Sequence, residues 1–236
     1  MADPAQEPGL VWTRDRRTPR RRAPGVEQIV ARAVAIADAE GAGALSMRRV
    51  AADLGSGTAS LYRYVAGRDE LLDLMVDAVR GEDAPPPPTG DWRHDLADVA
   101  RRLRAALLRH PWLGPELTGR PALGPNSLRQ ADAALGAAAA LTPDATLASC
   151  AVDTVAAYVL GAVAGELAEA QAQRRTGLTE DEWRASVGPY IRKVVESGDY
   201  PHFARRVVDA EDPDATERFE FGLACVLDGL AARLGD

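Results

Sequence analysis

Cysteine is almost missing from this 236-residue chain: Cys150 and Cys225 are the only two, each inside an apolar helical run. A disulfide framework is thereby excluded, and a reducing interior suits both thiols. Histidine occurs three times, with His94 and His110 isolated from other ligands. No metal-ligand spacing follows, and no cofactor is implied. Aromatic residues make up 5% of the chain while alanine is abundant, a balance that favours close-packed helices over sheets. No apolar stretch reads as long and uninterrupted enough to span a bilayer, and the first residues lack the apolar core of a signal peptide. The expectation is a soluble cytoplasmic protein with no membrane partner. Nucleophile–base arrangements, paired catalytic carboxylates and phosphate loops are also wanting, so the chain does not read as an enzyme.

What is present is distributed unevenly. The net charge is −7, yet residues 1–70 carry eleven Arg against nine Asp or Glu and are mildly basic. The acidic excess therefore lies wholly in the remainder, an asymmetry that suggests two jobs. Residues 1–24, with "TRDRRTPRRRAPG", are too rich in Pro and Arg to build a core and read as a flexible basic arm, either a solvated tail without function or a segment that touches DNA. From Pro24 the pattern turns helical: Val26, Ile29, Val30, Ala33, Val34 and Ala37 recur at three- and four-residue steps until Gly41 and Gly43 end the run. Ser46 is placed to cap a second helix with Met47, Val50, Ala51 and Leu54 along its inner side. Gly55 to Gly57 make a tight turn. A third short helix over 58–65 is anchored by Leu61 and Val65, and a fourth begins near Asp69 with Leu72, Met75, Val76 and Val79 inward.

The segment "APPPPTG", 84–90, cannot continue a helix and marks a boundary between a domain at 25–83 and another at 91–236. Beyond it the spacing predicts helices over 91–109, 126–141, 143–175, 180–196 (bent at Gly188-Pro189) and 215–234. The fold class is all-α.

Two short helices about a glycine turn, held by a preceding helix, form a helix-turn-helix. Its first helix crosses the DNA backbone while the second enters the major groove, so the turn must be tight. Thr58, Ala59, Ser60 and Arg63 are then free to meet base edges, because Arg forks onto guanine, hydroxyls bond several bases and a methyl meets thymine. Tyr62, Tyr64 and Arg68 offer phenols and a cation to phosphate oxygens.

The stretch "ALSMRRVAADLGSGTASLYRYVAGRDELLDLMVDAV" resembles the DNA-binding domain of TetR-family transcriptional regulators. Their Leu-Tyr-x-His signature reads Leu61-Tyr62-Arg63-Tyr64 here, with Tyr64 in place of the histidine and Arg68 in place of a lysine. The resemblance implies that Met47 and Arg48 also reach the groove or its edge. The final helix, "RFEFGLACVLDGLAARL", is similar to the last helix of tetracycline-repressor-like C-terminal domains. By the same resemblance the long helix and the last helix of each subunit form a four-helix dimer interface. It would be built from Val152, Val159 and Val163 with Phe219, Leu223, Val226 and Leu230. The implied molecule is a ligand-responsive repressor, a homodimer on a palindromic double-stranded operator, released by a small-molecule effector. Trp112, Asn126, Asp153 and Tyr158 are candidate pocket residues beside the long helix. An activator, a regulator without a ligand, or an all-α enzyme or metabolite-binding protein with no DNA role stays open at this point.

Overall fold

A computed structural model describes residues 11–13, 25–119 and 121–235, and among them contains eleven α-helices and no strand. The front of the chain folds as α1 (Val26–Glu40), α2 (Met47–Asp53), α3 (Thr58–Leu61) and α4 (Arg68–Arg80). Behind the proline segment come α5 (Trp92–Arg109), α6 (Leu113–Leu117), α7 (Pro125–Ala139), α8 (Ala145–Thr176), α9 (Glu180–Ser197), α10 (Pro201–Asp209) and α11 (Ala215–Leu234). Of the expected arm at 1–24, only Val11–Thr13 falls among the described residues; Val11 and Trp12 pack there against the core.

Local chemistry sets most of these ends. Asp91 caps α5 by accepting from the Arg93 and His94 amides, and Asp144 caps α8 through the Thr146 and Leu147 amides. Reciprocal capping boxes start α9, with Thr179 and Glu182, and α11, with Asp214 and Glu217.

Three elements differ from the sequence expectation. The third helix closes at Leu61 and continues to Val65 only as turns, because a segment this short lacks the bonds to propagate. The Pro/Gly connector holds the short helix α6, and Pro201–Asp209 forms α10. Helix α9, expected to bend at Gly188-Pro189, is continuous through Pro189. Ala185, whose carbonyl loses its bond there, is exposed to water.

One hydrophobic cluster reaches from Ile29 in α1 to Leu227 in α11. Helices α5, α7, α8 and α11 form a bundle, and α4 bridges it to α1 by packing on both α1 and α7. Neither α9 nor α10 has a buried residue. By length and composition alone α8 is long and apolar enough to cross a bilayer, which corrects the expectation that no stretch is. In the fold it is a core helix, its Ala148, Ala151, Val155, Val159 and Val163 buried within the protomer.

Two polar junctions tie front to rear. Buried His110 has Nδ1 2.8 Å from Asp38 of α1 and Nε2 3.1 Å from Glu82 after α4, and Trp112 donates to Asp38 at 2.7 Å. Buried Asp77 of α4 accepts from the Ser127 amide at 2.8 Å and from Asn126 Nδ2 at 3.2 Å. The side chain of Gln130 completes this second junction, donating to the Arg80 and Asp83 carbonyls at 3.0 and 2.6 Å.

Candidate functional site

The helix-turn-helix is assembled from caps and a glycine. Ser46 Oγ accepts from the Arg49 amide at 3.1 Å and starts α2. At its other end the Ser56 amide bonds back to the Ala51 carbonyl at 2.9 Å, and the Gly55 amide to Ala52 at 3.1 Å. This pair of bonds is a Schellman closure, and it requires the left-handed backbone that Gly55 supplies at φ 60°. The chain reverses at once and α3 begins at Thr58, over Leu61 and Val65, both with 0% exposure. Their burial fixes the roll of a four-residue helix that could not hold its shape alone.

On the outer face, Ala59, Tyr62 and Arg63 are exposed while Thr58 and Ser60 are half-buried. The Arg63 guanidinium rests on Ser60 Oγ at 3.1 Å, held close to the helix until something better is offered. Tyr62 is 54% exposed, whereas Tyr64 is half-buried and packs against the core. Arg68 Nη2 donates to the Ala42 carbonyl at 3.1 Å, so its guanidinium braces the α1–α2 connection.

The two neighbouring arginines of α2 part company. Arg49 pairs with Glu40 at 2.7 Å and Asp53 at 3.6 Å, and the Glu40 hydrogen bond holds its pKa above the ordinary guanidinium value. Arg48 is exposed, with no carboxylate beside it among the described residues. Met47, expected at the groove, is instead 6% exposed in the core, because it begins the apolar side of α2. A side chain so covered is unavailable to a base edge.

Behind this reader, α4, α5, α7 and α8 enclose a cavity of about 170 Å³. Its walls are Leu96, Val99, Leu103 and Ala106 of α5, Ala131 and Ala134 of α7, and Val152, Val155 and Ala156 of α8. Val79, Arg80 and Asp83 bring the end of α4 to the same wall. None of the four expected pocket residues lines this cavity. Trp112 and Asn126 belong to the two polar junctions, and Asp153 is exposed on α8. Tyr158 lines a wider cleft formed with α9 and α11, and its hydroxyl donates to the Phe219 carbonyl at 2.7 Å. The cavity residues were missed because no single helix shows them: small apolar residues on four helices look like ordinary core until their packing leaves a gap.

The expected dimer residues are also redistributed. Val159, Val163, Phe219 and Leu223 are each at most 2% exposed in the single protomer, so α8 and α11 use them to pack on each other. Val152, Val226 and Leu230 are half-buried. The uncovered face of α8 carries Cys150, Thr154, Ala157, Gly161, Ala164 and Gly165, and that of α11 carries Phe221, Cys225 and Gly229. Phe221 is 74% exposed.

Such a reader fused to a helical bundle with an internal cavity is the architecture of a helix-turn-helix regulator. Residues 84–234 match the family model described as "Tetracyclin repressor-like, C-terminal domain". The HTH-type transcriptional repressor DrrR1 of Streptomyces coeruleorubidus is 45% identical over 94% of this chain and 83% of its own. A tetracycline repressor protein of class A from Escherichia coli is 30% identical over 82% of this chain and 84% of its own. Among solved structures, the TetR family protein ActR of Streptomyces coelicolor, in complex with actinorhodin, is 32% identical. It superposes with a TM-score of 0.74 over 91% of this chain and all of that one. The chain belongs to the TetR family of transcriptional regulators.

Proposed function

We propose that two copies of this chain bind a two-fold symmetric operator as a repressor and leave it when a small molecule occupies the cavity behind α4. The observation that carries the reading is the anchoring of α3: Leu61 and Val65 are wholly buried beneath a helix whose opposite side is open. A buried underside with an open outer side is what a groove reader needs. Ala59, Ser60 and Arg63 meet bases, with Thr58 at the helix start; Tyr62 and Arg48 meet phosphates. The basic arm at 1–24 lies mainly outside the described residues and is assigned no contact here.

A lone helix of this size reads few base pairs. Pairing through the uncovered faces of α8 and α11 places two readers on half-sites one DNA turn apart, ~34–36 Å. The small residues on the α8 face allow close helix approach, and Phe221 supplies the large apolar contact. The likeness to the repressor DrrR1 supports repression, and the ActR complex with actinorhodin supports a small-molecule effector. We assign the chain no catalytic role, and its place of action is the cytoplasm, where the operator is.

Release follows from population shift: an effector must bind the misaligned state better than the aligned one. The cavity wall contains the last turn of α4, and α4 begins directly after the reader, so filling the cavity acts on that helix without an intermediary. The experiment is fluorescence anisotropy with a labelled inverted repeat taken from the DNA beside the gene. Specific binding by a dimer, weakening steeply with salt, is the expected result. A monomer in solution, or equal affinity for any duplex, overturns it.

A further inference from the structure

The cavity holds a charge that no described residue neutralises. Arg80, in the last turn of α4, lines it, and no carboxylate or hydrogen-bond acceptor engages its guanidinium among the described residues. The acid that lines the same cavity, Asp83, is committed elsewhere. Asp83 Oδ2 pairs with Arg109 at 3.3 Å, and the Asp83 carbonyl takes Arg102 Nη2 at 2.6 Å. Arg102, facing the same cavity from α5, has its Nε 3.8 Å from Asp98. Around these two cations the walls are Leu96, Leu103, Ala134 and Val155. Burial pushes the Arg80 guanidinium below its ordinary pKa, and the Arg102 charge pushes it further. The carbonyls at the α4 C-terminus offset part of this, but only as partial charges.

A half-buried cation in an apolar wall beside a second cation is unfavourable, since charges withdrawn from water are ordinarily paired. Arg is retained as a cation there because it does not give up its proton. We propose that the effector is an organic anion: an apolar body bearing one carboxylate or ionised phenol, with that anionic oxygen on Arg80 and the body against the α5–α7–α8 wall. This rests on the cavity being the effector site and adds the class of molecule that fills it. A guanidinium binds such an oxygen through a fork of N–H donors, and the largely apolar walls lower the local dielectric and so strengthen the pair. An engineered cavity of roughly 150 Å³ takes a benzene ring, so about 170 Å³ accommodates one ring without rearrangement. Binding would draw Arg80 inward and strain the Gln130 bonds to the Arg80 and Asp83 carbonyls, which tie α4 to α7.

The test is a matched series on the full-length protein: benzoate, benzamide and benzylamine, with Kd from calorimetry and ligand-detected NMR. Benzoate should bind at least tenfold more tightly than either analogue. Arg80→Met should bring benzoate and benzamide to equal affinity, while Arg80→Lys should keep a part of the preference. Arg80→Gln is run beside Arg80→Met so that a folding defect in one leaves the other to decide. The proposal is overturned if benzamide or benzylamine matches benzoate, if none of the three binds, or if the preference survives in the folded variant lacking the guanidinium. Operator affinity is measured alongside. Anion binding lost with Arg80 but without effect on DNA would support the anion site and sink the cavity's effector role. Release of DNA by neutral compounds alone would overturn the anion site and leave the regulator standing.

Discussion

Asp77, in the middle of α4, caps a helix fifty residues away: its Oδ1 accepts from the Ser127 amide at 2.8 Å, within the first turn of α7. The residue before α7 is Gly124, which has no side chain to cap with. A Cβ there would lie 2.2 Å from Asp77 Oδ1, so the glycine makes room for the remote carboxylate. The bond thereby ties together α4 and α7, two helices that line the cavity. Asp77→Ala leaves the Ser127 amide and the Asn126 side chain without this acceptor. The expected loss is about 2–3 kcal/mol of stability, measurable by urea denaturation. An effect below ~0.5 kcal/mol would show that the cap contributes little.

The adjacent arginines of α2 provide a paired test of the interface. Arg48→Ala should weaken operator binding for all sequences and lower the salt slope by about one. Arg49→Ala should affect DNA much less, since Glu40 and Asp53 already engage that charge. Equal losses for both would contradict the assignment.

Arg63→Ala should cost about 1–3 kcal/mol of operator affinity and relax preference at one base pair in each half-site. Binding to a panel of single-base operator variants reads this directly. An unchanged preference would place readout elsewhere on the surface.

Two helix glycines should respond in opposite ways. At Gly222 of α11 a Cβ would meet the Tyr158 hydroxyl at 2.4 Å, a contact that a stiff, hydrogen-bonded ring cannot yield cheaply. Gly222→Ala should therefore destabilise by about 1–3 kcal/mol despite the ~1 kcal/mol of helix propensity it gains. Adding Tyr158→Ala should make the alanine at 222 tolerated.

At Gly161 of α8 a Cβ meets nothing within 4 Å in the protomer. Gly161→Leu should keep the circular-dichroism helix signal yet shift light scattering from dimer to monomer, because the added side chain stands on the face assigned to the partner. A dimer of unchanged strength would move the interface off α8.

The sequence by itself determined the reader and every helix but α6 and α10. Ser46, Gly55 and the Leu61–Val65 pair act through bonds and spacings within a few residues, so their meaning survives without a tertiary frame. The same holds for the start of α11, set by the capping box of Asp214 and Glu217. Only the tertiary structure decided which side of α8 and α11 faces inward. A helix apolar around much of its girth has no periodic preference strong enough to choose, and packing sent Val159, Val163, Phe219 and Leu223 into the protomer and the small residues outward. It likewise moved Met47 into the core, joined Asp77 to Ser127, and set Arg80 in a largely apolar wall. Each of those outcomes depends on groups far apart in the chain, where no local pattern states which partner arrives.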